Sequence, residues 1–106
     1  MRRIRNLPRK ESVDERETSA EWRRLGYVEL KIMVCNHDGW PDRWYAAKGL
    51  GIPPFWCEWK AEGKDPEDHQ LLRHEELREQ GETVIVAHSR REFWEQVRKM
   101  QAAARL

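Results

Sequence analysis

Residues 39–60 read GWPDRWYAAKGLGIPPFWCEWK, and the layout of this stretch dictates how the rest of the chain must pack. Gly39, Trp40, Pro41 and Asp42 form a turn signal, Trp44, Tyr45 and Ala46 read as a strand, and GLGIPP at 49–54 is the connection back. Residues 55–60 supply a further strand rich in aromatic side chains. Two strands joined as a hairpin bring the turn before the first next to the end of the second. Asp42 is therefore expected near Glu58 and Lys60.

Working upstream, residues 11–25 (ESVDERETSAEWRRL) are highly charged and free of Gly and Pro. Val13, Ala20, Trp22 and Leu25 give a narrow apolar stripe, which predicts a helix that stops at Gly26. Residues 27–34 (YVELKIMV) predict the first strand, and the polar cluster at 35–39 a turn. Downstream, Asp65 reads as an N-cap, with Pro66 at the first helical position and Glu67 and Asp68 in the first turn. This helix should run to about Gln80 and end at Gly81. Residues 83–88 (TVIVAH) predict another strand, and Ser89 with Glu92 a capping box. The last helix would then present Phe93, Trp94, Val97 and Met100 on one face. The order is α-β-β-β-α-β-α, an α/β fold with a mixed sheet flanked by helices.

Composition limits what such a fold can be. The 106 residues suffice for one core, expected over 11–106 behind a basic arm at 1–10. A hydrophobic fraction of 39% with six tryptophans excludes a disordered polar chain. The net charge of +1 excludes a global basic field, so any nucleic-acid contact must come from a local patch. The arm, MRRIRNLPRK, carries five basic side chains. It reads equally as a solvated tail and as a flexible phosphate-contacting one. It has no apolar core like that of a signal peptide, and no run approaches the roughly 18 apolar residues of a membrane helix. The chain therefore reads as soluble and intracellular. Cys35 and Cys57 are expected as reduced, buried small hydrophobes. A zinc set of Cys35, His37, Cys57 and His69 is the weaker alternative, because no CxxC pair is present.

Candidate chemistry starts at Glu58 and Lys60. Side chains two apart on a strand share a face at roughly 6.5–7 Å, while Cys57 and Trp59 turn to the other side. Taken alone, Glu-x-Lys is ordinarily a solvated strand face, and Asp42 ordinarily a turn residue bonded to its own backbone. Together they place two carboxylates and an ammonium at one point. Magnesium is usually held by one or two carboxylates with water and phosphate oxygens completing an octahedron.

Gly39 through Arg43, Glu58-Trp59-Lys60, Gln70 on the following helix, Gly81 and the TVIVAHS strand together resemble the VRR-NUC domain of the PD-(D/E)xK nuclease superfamily. The resemblance spans roughly residues 11–98. It implies a restriction-endonuclease-like fold and divalent-metal-dependent phosphodiester hydrolysis, with one or two Mg²⁺ or Mn²⁺ ions. Asp42 and Glu58 would be metal carboxylates, the Trp59 backbone carbonyl a further ligand, and Lys60 the cation that orients water and opposes charge on the phosphate. Gln70 would reach the site from its helix. The family's acid on the first helix falls best on Glu11, by its distance from Gly26, with Glu15 one turn along as second choice. The GLGIPP loop is longer than the family pattern suggests. Small stand-alone members, often from phages, imply homodimers acting on branched DNA such as four-way junctions, here in a bacterial cytoplasm.

Grip on DNA is expected from Arg43, Lys48, Lys64, Arg9 and Lys10, contacts that give affinity without reading sequence. A dimer interface could use the first helix or Trp40, Trp44 and Trp56, at least two of these rings being expected in the core. Two other classes compete. A non-catalytic DNA-binding module of the same fold would bind metal weakly or not at all. A protein-interaction factor would present its tryptophans as an apolar patch and show no effect of magnesium on DNA.

Overall fold

The computed structural model describes residues 11–33 and 39–105. Ser12 caps the first helix, α1 (Val13–Arg24), with its Oγ accepting the Glu15 N–H at 3.0 Å. Glu11 thus lies before the helix, not in its first turn as composition suggested. The Ser-Val-Asp-Glu run at 12–15 is itself a capping signal, and it sets the start. After Gly26 come β1 (Val28–Lys31), β2 (Arg43–Ala46), a short 3₁₀ turn at Lys48–Leu50 and β3 (Phe55–Trp59). Then follow α2 (Asp68–Glu79), β4 (Thr83–Ala87) and α3 (Arg90–Ala104). The strands are shorter than expected at β1, β3 and β4. The α2 helix begins two residues later than Asp65 and Pro66 suggested, with Glu67 at its N-cap.

The sheet runs β1-β2-β3-β4. β1, β2 and β3 pair antiparallel, and β3 pairs parallel with β4, the α2 crossover making the return. A mixed sheet follows directly, since parallel neighbours need a crossover and hairpin neighbours do not. The expected order of elements is found throughout.

One face of the sheet carries the core. Trp22 of α1 meets Tyr45, Phe55 and Phe93 edge to face, with ring centroids 5.3–5.8 Å apart. Trp59 stacks on Phe93 at 5.5 Å, and Tyr45 on Phe55 at 5.3 Å. Cys57, Ile85, Ala87 and Val97 complete the cluster. The buried tryptophans are Trp22 and Trp59. Trp40, Trp44 and Trp56 are only half-buried, against the expectation that two of them would be core. Alternation decides this: Trp44 and Trp56 sit opposite each other on the sheet face turned away from Trp22.

Candidate active site

Glu58 stands near the end of β3 with its side chain completely buried. Its Oε2 accepts a hydrogen bond from Gln70 Nε2 at 3.1 Å and lies 4.0 Å from Lys60 Nζ. Its Oε1 faces His74 Nε2 at 3.3 Å. The Gln70 amide is oriented by a second bond, its Oε1 accepting the Glu67 N–H at 2.8 Å. One side chain thus caps α2 and holds Glu58. Lys60 keeps its strand position because its own N–H donates to the Ala87 carbonyl at 3.0 Å.

Asp42 reaches the same strand from the other side. Its N–H donates to the Cys57 carbonyl at 3.1 Å, and its carbonyl accepts the Ile32 N–H at 2.9 Å. Stitched to both neighbours, it turns Oδ2 onto the Trp59 N–H at 2.7 Å. In an extended strand the N–H and C=O of one residue point to the same side. The Trp59 carbonyl is accordingly aimed toward Asp42. Gly39 makes this turn fit: its φ is +89°, and a Cβ there would sit 2.7 Å from the His69 carbonyl oxygen of α2. Only glycine tolerates both the backbone and the approach.

Of the four residues expected together, Lys60 and Gln70 lie at the Glu58 carboxylate, and Asp42 is held against the backbone of the adjoining Trp59. The first-helix acid is placed differently from the leading expectation. Glu11 precedes the helix and pairs with Arg43 and, at 3.5 Å, with Lys31. Burial works to raise its carboxyl, but Arg43 and Lys31 hold it below the ordinary range. Glu15 lies on α1, completely buried, with its Oε2 2.9 Å from Arg43 Nε. Of the two candidates, only Glu15 therefore lies on α1 itself. Among the described residues, no group of three or more His, Cys, Asp or Glu side chains is arranged to hold a metal.

Arg43 is the clearest departure. Expected to grip phosphate, it is 6% exposed and bound by Glu11, Glu15 and Glu29. Burial works against its charge, yet the glutamates hold the guanidinium protonated more firmly than usual. Next to Asp42 in sequence, it turns to the opposite face, toward α1. Lys48 is exposed but lies in the 3₁₀ turn beyond the far end of β2 from Asp42. Lys64 is exposed in the loop after β3, at the correct end, where its carbonyl accepts His88 Nε2 at 2.7 Å. Arg9, Lys10 and the rest of the arm lie outside the described residues, as do Cys35 and His37. Cys57 is buried in the aromatic core, burial pushing its thiol well up, whereas His69 is exposed on α2. The zinc alternative therefore loses its described half.

His74 was not anticipated. It follows Gln70 by four residues on α2, and that i, i+4 spacing is the signal that would have found it.

Fold and site together define a small nuclease-like α/β domain. Within that class the chain resembles the VRR_NUC domain. A solved structure described as a VRR_NUC domain superposes on it with a TM-score of 0.61 and 28% sequence identity, over 79% of this chain and 85% of that one. No protein-family model and no curated protein matches the chain. No helix among the described residues is long and apolar enough to cross a membrane.

Proposed function

We propose that this domain is a divalent-metal-dependent DNA endonuclease that hydrolyses phosphodiester bonds, with Asp42, Glu58, Lys60 and Gln70 as its working residues. The observation that carries this is their convergence. At the end of β3 the Glu58 carboxylate meets the Gln70 amide and lies 4.0 Å from Lys60 Nζ, while Asp42, just before β2, is bonded to the backbone N–H of the intervening Trp59. The donor set is all oxygen, which suits Mg²⁺ or Mn²⁺, and two carboxylates with the Trp59 carbonyl leave room for water and phosphate. Such an ion, when bound, would lower the pKa of attacking water and neutralise charge on the phosphate.

The chain's own groups have distinct tasks. Asp42 and Glu58 would hold the ion, the first from the turn just before β2 and the second from β3. Gln70 keeps the Glu58 carboxylate oriented. Lys60 presents its ammonium beside that carboxylate, positioned to orient water and oppose negative charge at phosphorus. Lys64 and the basic arm supply contacts to phosphate.

Branched DNA and a homodimer belong to the same proposal. Val28, Leu30 and Met33, at and just beyond the β1 edge, are 60%, 56% and 56% exposed, a surface a second copy would cover. A C2 dimer would set two sites symmetrically for paired cuts. The test is cleavage of labelled four-way junction, flap, duplex and single-stranded DNA with Mg²⁺ or Mn²⁺, wild type beside Lys60→Ala. Metal-dependent cutting lost in Lys60→Ala is expected, with the junction ranked first. Folded wild type that cuts nothing with either metal sinks the proposal, and binding without cutting would point to the non-catalytic module.

A further inference from the structure

Glu58 is clamped from one helix at both oxygens. Gln70 takes Oε2, and His74, one turn further along α2, takes Oε1. His74 is itself completely buried, and among the described residues its Nδ1 has no hydrogen-bond partner. A carboxylate acceptor requires the proton on Nε2, since the carboxylate can only accept. The orphan Nδ1 is then better bare than carrying a proton it cannot share, because a buried donor without an acceptor costs about 1–3 kcal/mol. Leucine at this position would strand no ring nitrogen, but it would leave the buried Glu58 Oε1 without its donor. What the imidazole adds is the Nε2–H aimed at Glu58.

We infer that His74 is a positioning residue for the metal-binding carboxylate, an inference that rests on the nuclease reading above. Its Nε2–H and the Gln70 amide pin the two oxygens of Glu58 in one orientation without drawing off its negative charge, since the amide donor is neutral and the imidazole shares a single N–H. Each oxygen keeps a lone pair for a divalent cation. Without the His74 bond, Oε1 is free to rotate, and the carboxylate can close the 4.0 Å gap to Lys60 Nζ. That ion pair would compete with the metal for the same oxygens and would take Lys60 from its own task. Loss of a group that orients a metal ligand in this way typically costs about 10–100-fold in metal affinity.

The substitutions that test this differ in where they place a donor. His74→Gln carries an amide nitrogen to the place of Nε2, His74→Asn falls short at the place of Nδ1, and His74→Leu offers none. Mn²⁺ binding is measured by calorimetry on DNA-free protein, beside thermal melting. His74→Gln should bind within about threefold of wild type, whereas His74→Asn and His74→Leu should bind about tenfold more weakly or worse. Both weak binders should melt cooperatively, and raising Mn²⁺ should restore their cleavage. Equal binding by wild type and a folded His74→Leu protein overturns the role of His74 alone, as does His74→Gln falling as far as His74→Leu. Wild type that binds no Mn²⁺ overturns the metal-dependent reading itself, and this inference with it.

Discussion

Glu58 is a carboxylate with no solvent exposure whose nearest cation is 4.0 Å away. Its other partners are the Gln70 amide and the His74 imidazole. Burying a charge under such weak compensation costs stability, a cost that the proposed role in holding a divalent cation would explain. Glu58→Gln should therefore raise stability by about 1–2 kcal/mol while abolishing metal binding and cleavage. Urea unfolding beside a cleavage assay checks it, and a destabilised variant would mean that the carboxylate is structural. The neighbouring Asp42 works differently. Its Oδ2 bond to the Trp59 amide joins β2 to β3 at the point where their pairing ends.

At the scale of elements, two junctions are held by charge. Arg43 ties β2 to α1 and β1 through Glu15, Glu11 and Glu29. Removing the guanidinium strands the fully buried Glu15, so Arg43→Leu should cost about 3–5 kcal/mol near neutral pH. Glu11 gives the pH signature. Its carboxyl is depressed when folded, so its contribution is present above the ordinary 4.5 and is lost as pH falls through the folded value. Denaturant midpoints between pH 3 and pH 7 should show that acid loss in wild type and a smaller one in the variant, where Lys31 alone still faces Glu11. The second junction lies after β4, where His88 Nδ1 meets Glu92 at 2.7 Å and its Nε2 meets the Lys64 carbonyl. The Glu92 bond, and then the carbonyl, raise the His88 pKa from its ordinary 6.5. A raised pKa stabilises fully below 6.5 and stops doing so as pH rises through the folded value. Burial works to raise the Glu92 carboxyl, but His88 depresses it below 4.5, so its share is lost on acidification. The pair therefore contributes most between 4.5 and 6.5. The melting-temperature gap between wild type and His88→Gln should be wider at about pH 5.5 than at about pH 8.5. An unchanged gap would mean the bond does not depend on His88 charge.

For the whole molecule, stability concentrates in one aromatic cluster on one side of the sheet. Trp22 is fully buried against Tyr27, Tyr45, Phe55, Phe93 and Trp94. It joins α1 to the sheet and to α3. Trp22→Ala should cost about 3–5 kcal/mol, a large share of what a domain of this size has to lose. Urea titration followed by circular dichroism measures it, and a cost near zero would deny the cluster its central place. The opposite sheet face is less well covered. It carries Glu58 and Gln70 at one end, Trp44 and Trp56 along it, and exposed Val28 and Leu30 toward the β1 edge.

The chain alone determined the order of elements, because each is punctuated locally: Gly26, the turn at 39–42, Gly81 and the Ser89 cap all act within a few residues. The hairpin also made legible that Asp42 lies against the strand that bears Glu58 and Lys60, whereas Gln70 followed only from the resemblance to the VRR-NUC domain. Two of those readings moved with small local signals. Ser12 placed Glu11 ahead of α1, and Glu67 delayed α2 past Asp65. What only the tertiary structure decided was the partner of each charge. Arg43 reads as a free cation beside Asp42, yet strand alternation turns it under α1, where glutamates from three segments close around it. His74 reads as one more polar helix residue, yet the packing of α2 on β3 buries it against Glu58. Both outcomes depend on contacts between residues 14–32 positions apart in the chain, which no local pattern encodes.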